Sequence, residues 1–241
     1  MKRIKEFLNS VFKFFGVEIK LISKNNAKNE LKHQWIKAVG VHHILDIGAN
    51  EGQFAKNIRR YFPNARIDSF EPIDHCFEQL KNNFITDKNL YAHNCALGER
   101  NEKALINVNV SSESSSLLAM TDIHHQNYPN TDKSVEKEIS VRRLDDLENI
   151  VTATSKILMK IDVQGFELNV LKGAVNTLKL VEVIIIEVMY ETLYDGQSTF
   201  DDLNDFLKAH NFVFSGIYDQ ELSPLNGKPI FADLIYVAKK S

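Results

Sequence analysis

The sequence predicts an α/β domain on a mostly parallel sheet, and three observations carry that prediction. From Val41 onward, short β-branched runs alternate with helix-patterned stretches, the signature of βαβ units. Two of the runs, 157–161 and 183–188, are apolar without period-two patterning, as in strands covered on both faces. The chain has 241 residues, 44% hydrophobic and 25% charged, enough for one full core.

The elements follow in order. Residues 1–35 carry eight Lys/Arg against three Glu, net +5, while the whole chain is −3. Ile4, Leu8, Val11, Phe12 and Phe15 recur at helical spacing with Lys2, Lys5 and Lys13 between them, which predicts a basic amphipathic helix. Its apolar stripe has two uses: docking on the domain or a second copy in a homodimer, or peripheral contact with an anionic membrane surface. Asn25, Asn26 and Asn29 read as a polar linker. Residues 1–40 are therefore expected to be an amphipathic helical extension and 41–241 one α/β domain.

Within that domain, 44–47, 66–70, 90–93, 157–161, 183–188, 212–217 and 235–237 read as strands. Stretches 52–61, 74–84, 166–180 and 199–210 read as helices between them. The alternation lapses across about 98–143. There, 104–110 and 139–141 read as strands, while the Ser-rich 111–116 and the segment 121–134 read as loop. A polar insertion of this length is expected to be a functional loop or lid, with a plain mobile connector as the alternative.

Composition excludes several function classes. A net charge of −3 gives no global reason for a nucleic-acid partner, whose affinity rests on phosphate neutralisation. Two cysteines, Cys76 and Cys95, make neither a disulfide framework nor a four-ligand zinc site, which fits the cytoplasm. The apolar runs are too short to span a bilayer, and no cleavage site follows the basic N-terminus, so the expected location is cytoplasmic or peripheral at the inner membrane surface.

The sharpest motif follows the first strand: Leu45-Asp46-Ile47-Gly48-Ala49-Asn50-Glu51-Gly52. Glycines between a strand and a helix let a ligand approach the backbone. The Gly-x-x-x-Gly spacing matches neither a dinucleotide fingerprint nor a Walker loop. The second strand then ends at Glu71-Pro72, 23 residues after Gly48, where an acidic side chain can accept from both hydroxyls of a nucleoside ribose. Pro72, lacking an N–H, ends that strand.

With further matches at Asn94-Cys95-Ala96-Leu97-Gly98, Ser114-Ser115-Ser116-Leu117, Arg143-Leu144-Asp145-Asp146-Leu147, Lys160-Ile161-Asp162-Val163-Gln164-Gly165-Phe166-Glu167, Leu171-Lys172-Gly173-Ala174 and Ile185-Ile186-Glu187-Val188, the chain resembles S-adenosylmethionine-dependent methyltransferases of the FkbM type. That resemblance implies a class I, Rossmann-like fold: a seven-stranded, mostly parallel sheet with its last strand antiparallel and helices on both faces. It implies that Gly48, Asn50 and Gly52 line the methionine end of S-adenosylmethionine, that Glu71 holds the ribose with Pro72 beside it, and that Asn94 and Ala96 lie near the adenine. Asp46 would support the glycine loop or the methionine amine.

Methyl transfer from a sulfonium requires the protein to align the acceptor and remove its proton. Asp162 and Glu187, at the ends of the fourth and fifth strands, are the candidate catalytic carboxylates, acting as a general base with a partner or holding a divalent cation such as Mg. Gln164 stands where many relatives carry Glu, so a full hard-cation cage is not evident. His93, His124 and His125 are alternative bases, and Tyr190 and Tyr194 are either acceptor-pocket walls or packing aromatics. The expected reaction is O-methylation of a sugar or glycan-like acceptor. Alternatives are a tailoring methyltransferase for a polyketide, phenol or amine, and a binding module that retains the fold without catalysis.

Overall fold

The computed structural model describes residues 24–109, 112–128, 131, 134–152 and 154–239, in two units that divide between Trp35 and Ile36. The predicted amphipathic helix around Ile4 to Phe15 lies outside the described residues. Helix α1 (Lys24–Val39) runs through Asn25, Asn26 and Asn29, correcting the predicted polar linker. Asn costs a helix only ~0.7 kcal/mol relative to Ala, and Leu31, Gln34, Lys37 and Ala38 are good helix formers that offset it.

Along the second unit come β1 (His43–Ile47), α2 (Gln53–Arg59), β2 (Arg66–Phe70), α3 (Asp74–Asn83), β3 (Leu90–His93), β4 (Ala96–Leu97), β5 (Glu102–Asn109), α4 (Asp122–Asn127), β6 (Ser134–Arg142), β7 (Ile157–Ile161), α5 (Glu167–Lys172), β8 (Val181–Met189), α6 (Phe200–Ala209), β9 (Phe212–Leu222) and β10 (Pro229–Ala238). The main sheet has seven strands in the order β3-β2-β1-β7-β8-β10-β9. Strands β1, β2, β3, β7 and β8 pair in parallel, and β10 runs antiparallel to both β8 and β9. This is the class I methyltransferase arrangement expected from the sequence.

The period-two alternation of strands sorts the side chains. Leu45 and Ile47, Met159 and Ile161, and Ile184 and Ile186 join Val170 and Leu171 of α5 and Leu203 and Leu207 of α6 in the main core. The opposite face of the same strands carries Asp46, Lys160 and Glu187. Register places Asp46 beside Ser69 and Lys160, and Glu187 beside Asp233. Helix α2 covers this second face, with Phe54 over Lys160, so helices lie on both sides of the sheet.

The insertion is more ordered than its composition indicates. Strands β4, β6 and β5 form a separate three-stranded sheet, and its Ile106, Ile139 and Val141 pack on Ile73 and Cys76. Part of the segment read as loop is helix α4, whose N-cap Thr121 accepts the His124 N–H. The single helix expected over 166–180 is also corrected. It stops at α5, and Thr177–Leu180 is a separate 3₁₀ turn. At the break, Gly173 packs so closely on the Gly98 carbonyl that a Cβ would overlap it, and the Asp145 carboxylate accepts from the N–H groups of Asn176 and Thr177.

Candidate functional site

The ends of β1, β2, β7 and β8 and the Ser-rich segment enclose a cavity of about 510 Å³, within the size range of small-molecule sites. It opens at the carboxyl ends of the parallel strands, where ligands bind in open α/β sheets.

The glycine loop forms one wall. Gly48 (φ +79°) sits so close to the Asp162 carbonyl oxygen that any Cβ would overlap it. Asn50 is also left-handed (φ +48°); its backbone N–H donates to Glu71 Oε2 at 2.8 Å. Glu71 Oε1 accepts from the Ile73 N–H at 2.9 Å, so each oxygen of this buried carboxylate carries one backbone donor and keeps acceptor capacity. Burial pushes its carboxyl up to about 7, against those two hydrogen bonds. The Asn50 Nδ2 is buried without a partner among the described residues.

The other predicted cofactor residues divide. Pro72 and Ala96 line the cavity. Gly52 does not: it caps α2 at φ +91°, where a Cβ would lie 2.6 Å from the Phe84 ring. Asn94 does not either; it is exposed, and its Nδ2 donates to the Glu71 and Pro72 carbonyls, bracing the end of β2. Asp46 is fully buried beneath the loop, with Oδ2 accepting from Ser69 and Oδ1 unpartnered among the described residues. Burial pushes its carboxyl up to about 6.

Asp162 and Glu187 meet in the opposite wall. Asp162 Oδ2 accepts from Lys160 Nζ at 2.7 Å, and Oδ1 accepts from Gln164 Nε2 at 2.8 Å. The same Gln164 Nε2 donates to Glu187 Oε2 at 2.8 Å. Burial alone would raise Asp162, but the Lys160 ammonium overrides it and holds the carboxyl below its ordinary value. Burial and the Asp162 charge push Glu187 well above its own. The two neighbouring carboxyls are thus pushed in opposite directions.

The donor set disagrees with a divalent cation between the two carboxylates. Gln164 directs N–H groups at both, Lys160 takes the remaining Asp162 oxygen, and cations need oxygen lone pairs. Among the described residues no group of three or more His, Cys, Asp or Glu side chains is placed to hold a metal ion.

Lys160, to which the sequence reading assigned no role, is central. It is buried, its Nζ lies 5.8 Å from the Phe54 ring centroid, and the Asp162, Asp46 and Asp233 charges hold it protonated against the cost of burial. Its signal was the i, i+2 spacing to Asp162, which puts both on one sheet face. The insertion closes the cavity: Ser112 Oγ donates to Asn50 Oδ1 at 3.1 Å, and Ser116 Oγ donates to the Gln164 carbonyl at 2.7 Å. Tyr194, fully buried, donates its hydroxyl to Gln164 Oε1 at 2.8 Å and lies 3.3 Å from His124 Nε2. Burial lowers His124 to about 4, so it is neutral near pH 7. Tyr190 is exposed and outside the cavity wall, and His93 is engaged with Asp68 instead.

Comparison with known proteins follows the same outline. The family model described as the methyltransferase FkbM domain matches residues 46–214. The chain is 26% identical over 183 residues to Methyltransferase 1 of Beauveria bassiana, covering 70% of this chain and 72% of that protein. It is 26% identical over 178 residues to the 2-O-methyltransferase NoeI of Sinorhizobium fredii, with the same two shares. The crystal structure of a methyltransferase FkbM from Methylobacillus flagellatus aligns with a TM-score of 0.51 at 16% identity, over 82% of this chain and 43% of that one, a likeness of fold. Among the described residues no helix is long and apolar enough to cross a membrane.

Proposed function

The chain belongs to the FkbM methyltransferase family, and on that premise we propose that it is an S-adenosylmethionine-dependent O-methyltransferase acting on a hydroxyl of a sugar or glycan-like acceptor. One observation carries this reading: the buried carboxylate Glu71 and the Lys160–Asp162 ion pair, from the ends of β2 and β7, line a single cavity.

The residues present fit the cofactor. Glu71 keeps lone pairs for two ribose hydroxyls, and the unpartnered Asn50 Nδ2 is a buried donor beside it. Gly48 leaves its stretch of backbone open to close approach. When bound, S-adenosylmethionine supplies a sulfonium methyl group as the electrophile. The chain's own part is to orient a hydroxyl and take its proton.

In this reading both tasks fall to Asp162. Its ionised carboxylate accepts the hydrogen bond of the incoming hydroxyl, fixing the direction of the oxygen lone pair. A hydroxyl oxygen becomes strongly acidic as it forms a bond to carbon, so a carboxylate held below its ordinary pKa still accepts the proton. Lys160 keeps Asp162 charged, and Gln164 with Glu187 fixes its rotamer. Support for oxygen as the acceptor atom comes from NoeI, which is named a 2-O-methyltransferase.

The test is transfer of labelled methyl from S-adenosylmethionine to a panel of glycosides by the full chain, alongside calorimetric titration with S-adenosylhomocysteine. Saturable binding, and label on a sugar hydroxyl that Asp162→Asn abolishes, is the expected result. Label appearing only on phenols or amines overturns the acceptor, and absence of binding overturns the cofactor.

A further inference from the structure

Tyr194 is fully buried and stands behind the cavity wall rather than in it, so its hydroxyl acts on a ligand only through a neighbour. Its place is fixed from two sides. The loop after β8 pairs with the insertion through an antiparallel bridge between Met120 and Tyr194, with the Thr121 N–H on the Leu193 carbonyl and the Asp195 N–H on the Ala119 carbonyl. From the other side, Gln197 Oε1 accepts from the Leu193 and Tyr194 N–H groups at 2.8 and 2.9 Å. The ring packs with Met189, Leu193 and Ile230, a cluster that Tyr128 of the cavity wall also joins. The hydroxyl oxygen then lies 2.8 Å from Gln164 Oε1, 3.1 Å from the Ser114 carbonyl and 3.3 Å from His124 Nε2.

The two ends of the Gln164 amide have nearly the same shape and opposite hydrogen-bonding character. Asp162, charged beside the Lys160 ammonium, only accepts and so takes the nitrogen end. Tyr194, kept protonated by burial, presents its proton to the oxygen end in the shortest of its three contacts. Reversed, the amide would turn its oxygen on Asp162 Oδ1 and Glu187 Oε2, and three converging oxygens suit a divalent cation. The backbone is gripped as well. Gln164 holds a left-handed φ of +55°, which a residue with a Cβ adopts only at a cost. Ser116 Oγ donates to its carbonyl at 2.7 Å and accepts from the Leu118 N–H, while the Ser116 backbone pairs with Asn107 of β5.

We propose that Tyr194 and Ser116 are positioning residues through which the insertion fixes the direction of the Gln164 amide, so that Asp162 and Glu187 meet an N–H donor and a divalent cation is kept out. The insertion then serves as a fixed clamp on the wall that carries Asp162. This rests on the methyltransferase reading above only for the use made of Asp162; the direction of the amide and its effect on cations stand apart from it.

The experiment is Mn²⁺ binding to the full chain, followed by electron paramagnetic resonance, with S-adenosylhomocysteine affinity measured by calorimetry on the same samples. Tyr236→Phe is the control, since that buried hydroxyl donates to Asn204 Oδ1 away from the cavity. Tyr194→Phe is expected to bind Mn²⁺ about ten-fold more tightly than the wild type, the value of one lost buried hydrogen bond. Ser116→Ala moves in the same direction, Tyr236→Phe does not move, and none of the three changes S-adenosylhomocysteine affinity. Adding Gln164→Met to Tyr194→Phe keeps the side-chain length, removes the amide oxygen and takes the gain away. Wild-type Mn²⁺ affinity in a folded Tyr194→Phe, an equal gain in Tyr236→Phe, or a gain that survives Gln164→Met overturns the clamp and leaves the proposed function intact. If Tyr194→Phe does not fold, Ser116→Ala decides by the same comparison. A wild type that fails to bind S-adenosylhomocysteine overturns the cofactor assignment, while the Mn²⁺ comparison still decides the clamp.

Discussion

The side-chain amide nitrogen of Gln164 lies 2.8 Å from Asp162 Oδ1 and 2.8 Å from Glu187 Oε2, joining two carboxylates that would otherwise repel. Its carbonyl oxygen accepts from Tyr194, and its backbone is held left-handed at φ +55° with Ser116 on its own carbonyl. A residue tied at four points sets the distance between the two acids.

Gln164→Glu replaces that donor with a third carboxylate of nearly equal shape. Turnover is expected to fall by about 100-fold or more, as for loss of a catalytic carboxylate's alignment, with S-adenosylhomocysteine affinity nearly unchanged. Three converging carboxylates also make a cation site, so Mn²⁺ binding, followed by electron paramagnetic resonance, is expected in the variant. A folded variant with full turnover would show that the amide bridge does not position the pair.

Glu71 gives the site a pH dependence. Its carboxyl is pushed up to about 7 by burial, so it is largely protonated at about pH 6 and largely ionised at about pH 8. Ribose hydroxyls donate best to the ionised form. Calorimetric affinity for S-adenosylhomocysteine is therefore expected to rise across that interval, while Glu71→Gln binds more weakly and shows no rise. Parallel pH profiles in the two proteins would remove Glu71 from the contact.

Strands β2, β3 and β7 have the bounds read from the sequence, their runs stopping at Glu71-Pro72, Asn94 and Asp162. Strands β9 and β10 extend well past the segments read for them: Gly216 and a series of exposed polar residues mask the edge strand β9, and Pro229, Ala232 and Asp233 break the apolar run of the internal strand β10. The break at Gly173 was hidden because its cause, the Gly98 carbonyl, is remote in sequence. The site shows the same division. Gly48, Glu71 and Asp162 were legible because strand ends in this architecture point into the crevice. Tyr128 was not, because the insertion brings it to the cavity through tertiary packing on Leu193 and Tyr194, which leaves no local pattern.

Asp68 is a structural keystone away from the cavity. Fully buried, it accepts from His43 Nε2 and His93 Nε2 at 2.8 Å and from Arg66 Nε at 2.6 Å, linking β1, β2 and β3. Burial would raise it, but these three donors hold its carboxyl well below the ordinary value of 3.8. A carboxyl depressed on folding adds stability above about pH 4 that is lost as pH falls further. Asp68→Asn should cost about 3 kcal/mol near neutral pH, a Tm drop on the order of 10 °C. The gap from wild type should close in thermal melts below about pH 4, and an unchanged Tm at pH 7 would contradict the arrangement.

Gly48 and Gly196 separate two reasons for a glycine. Both have positive φ, +79° and +77°, so an alanine at either place pays a similar backbone strain of about 1–2 kcal/mol. They differ in surroundings: a Cβ at Gly196 meets nothing within 4 Å, whereas at Gly48 it overlaps the Asp162 carbonyl oxygen. Relieving that overlap means parting the ends of β1 and β7, which carry the glycine loop and Asp162. Gly196→Ala should therefore lower Tm by a few degrees and keep turnover, while Gly48→Ala lowers Tm further and loses both cofactor binding and turnover. Equal effects of the two substitutions on Tm and turnover would mean that the loop relaxes freely, and that the close approach of Gly48 to Asp162 does not set the geometry between cofactor and base.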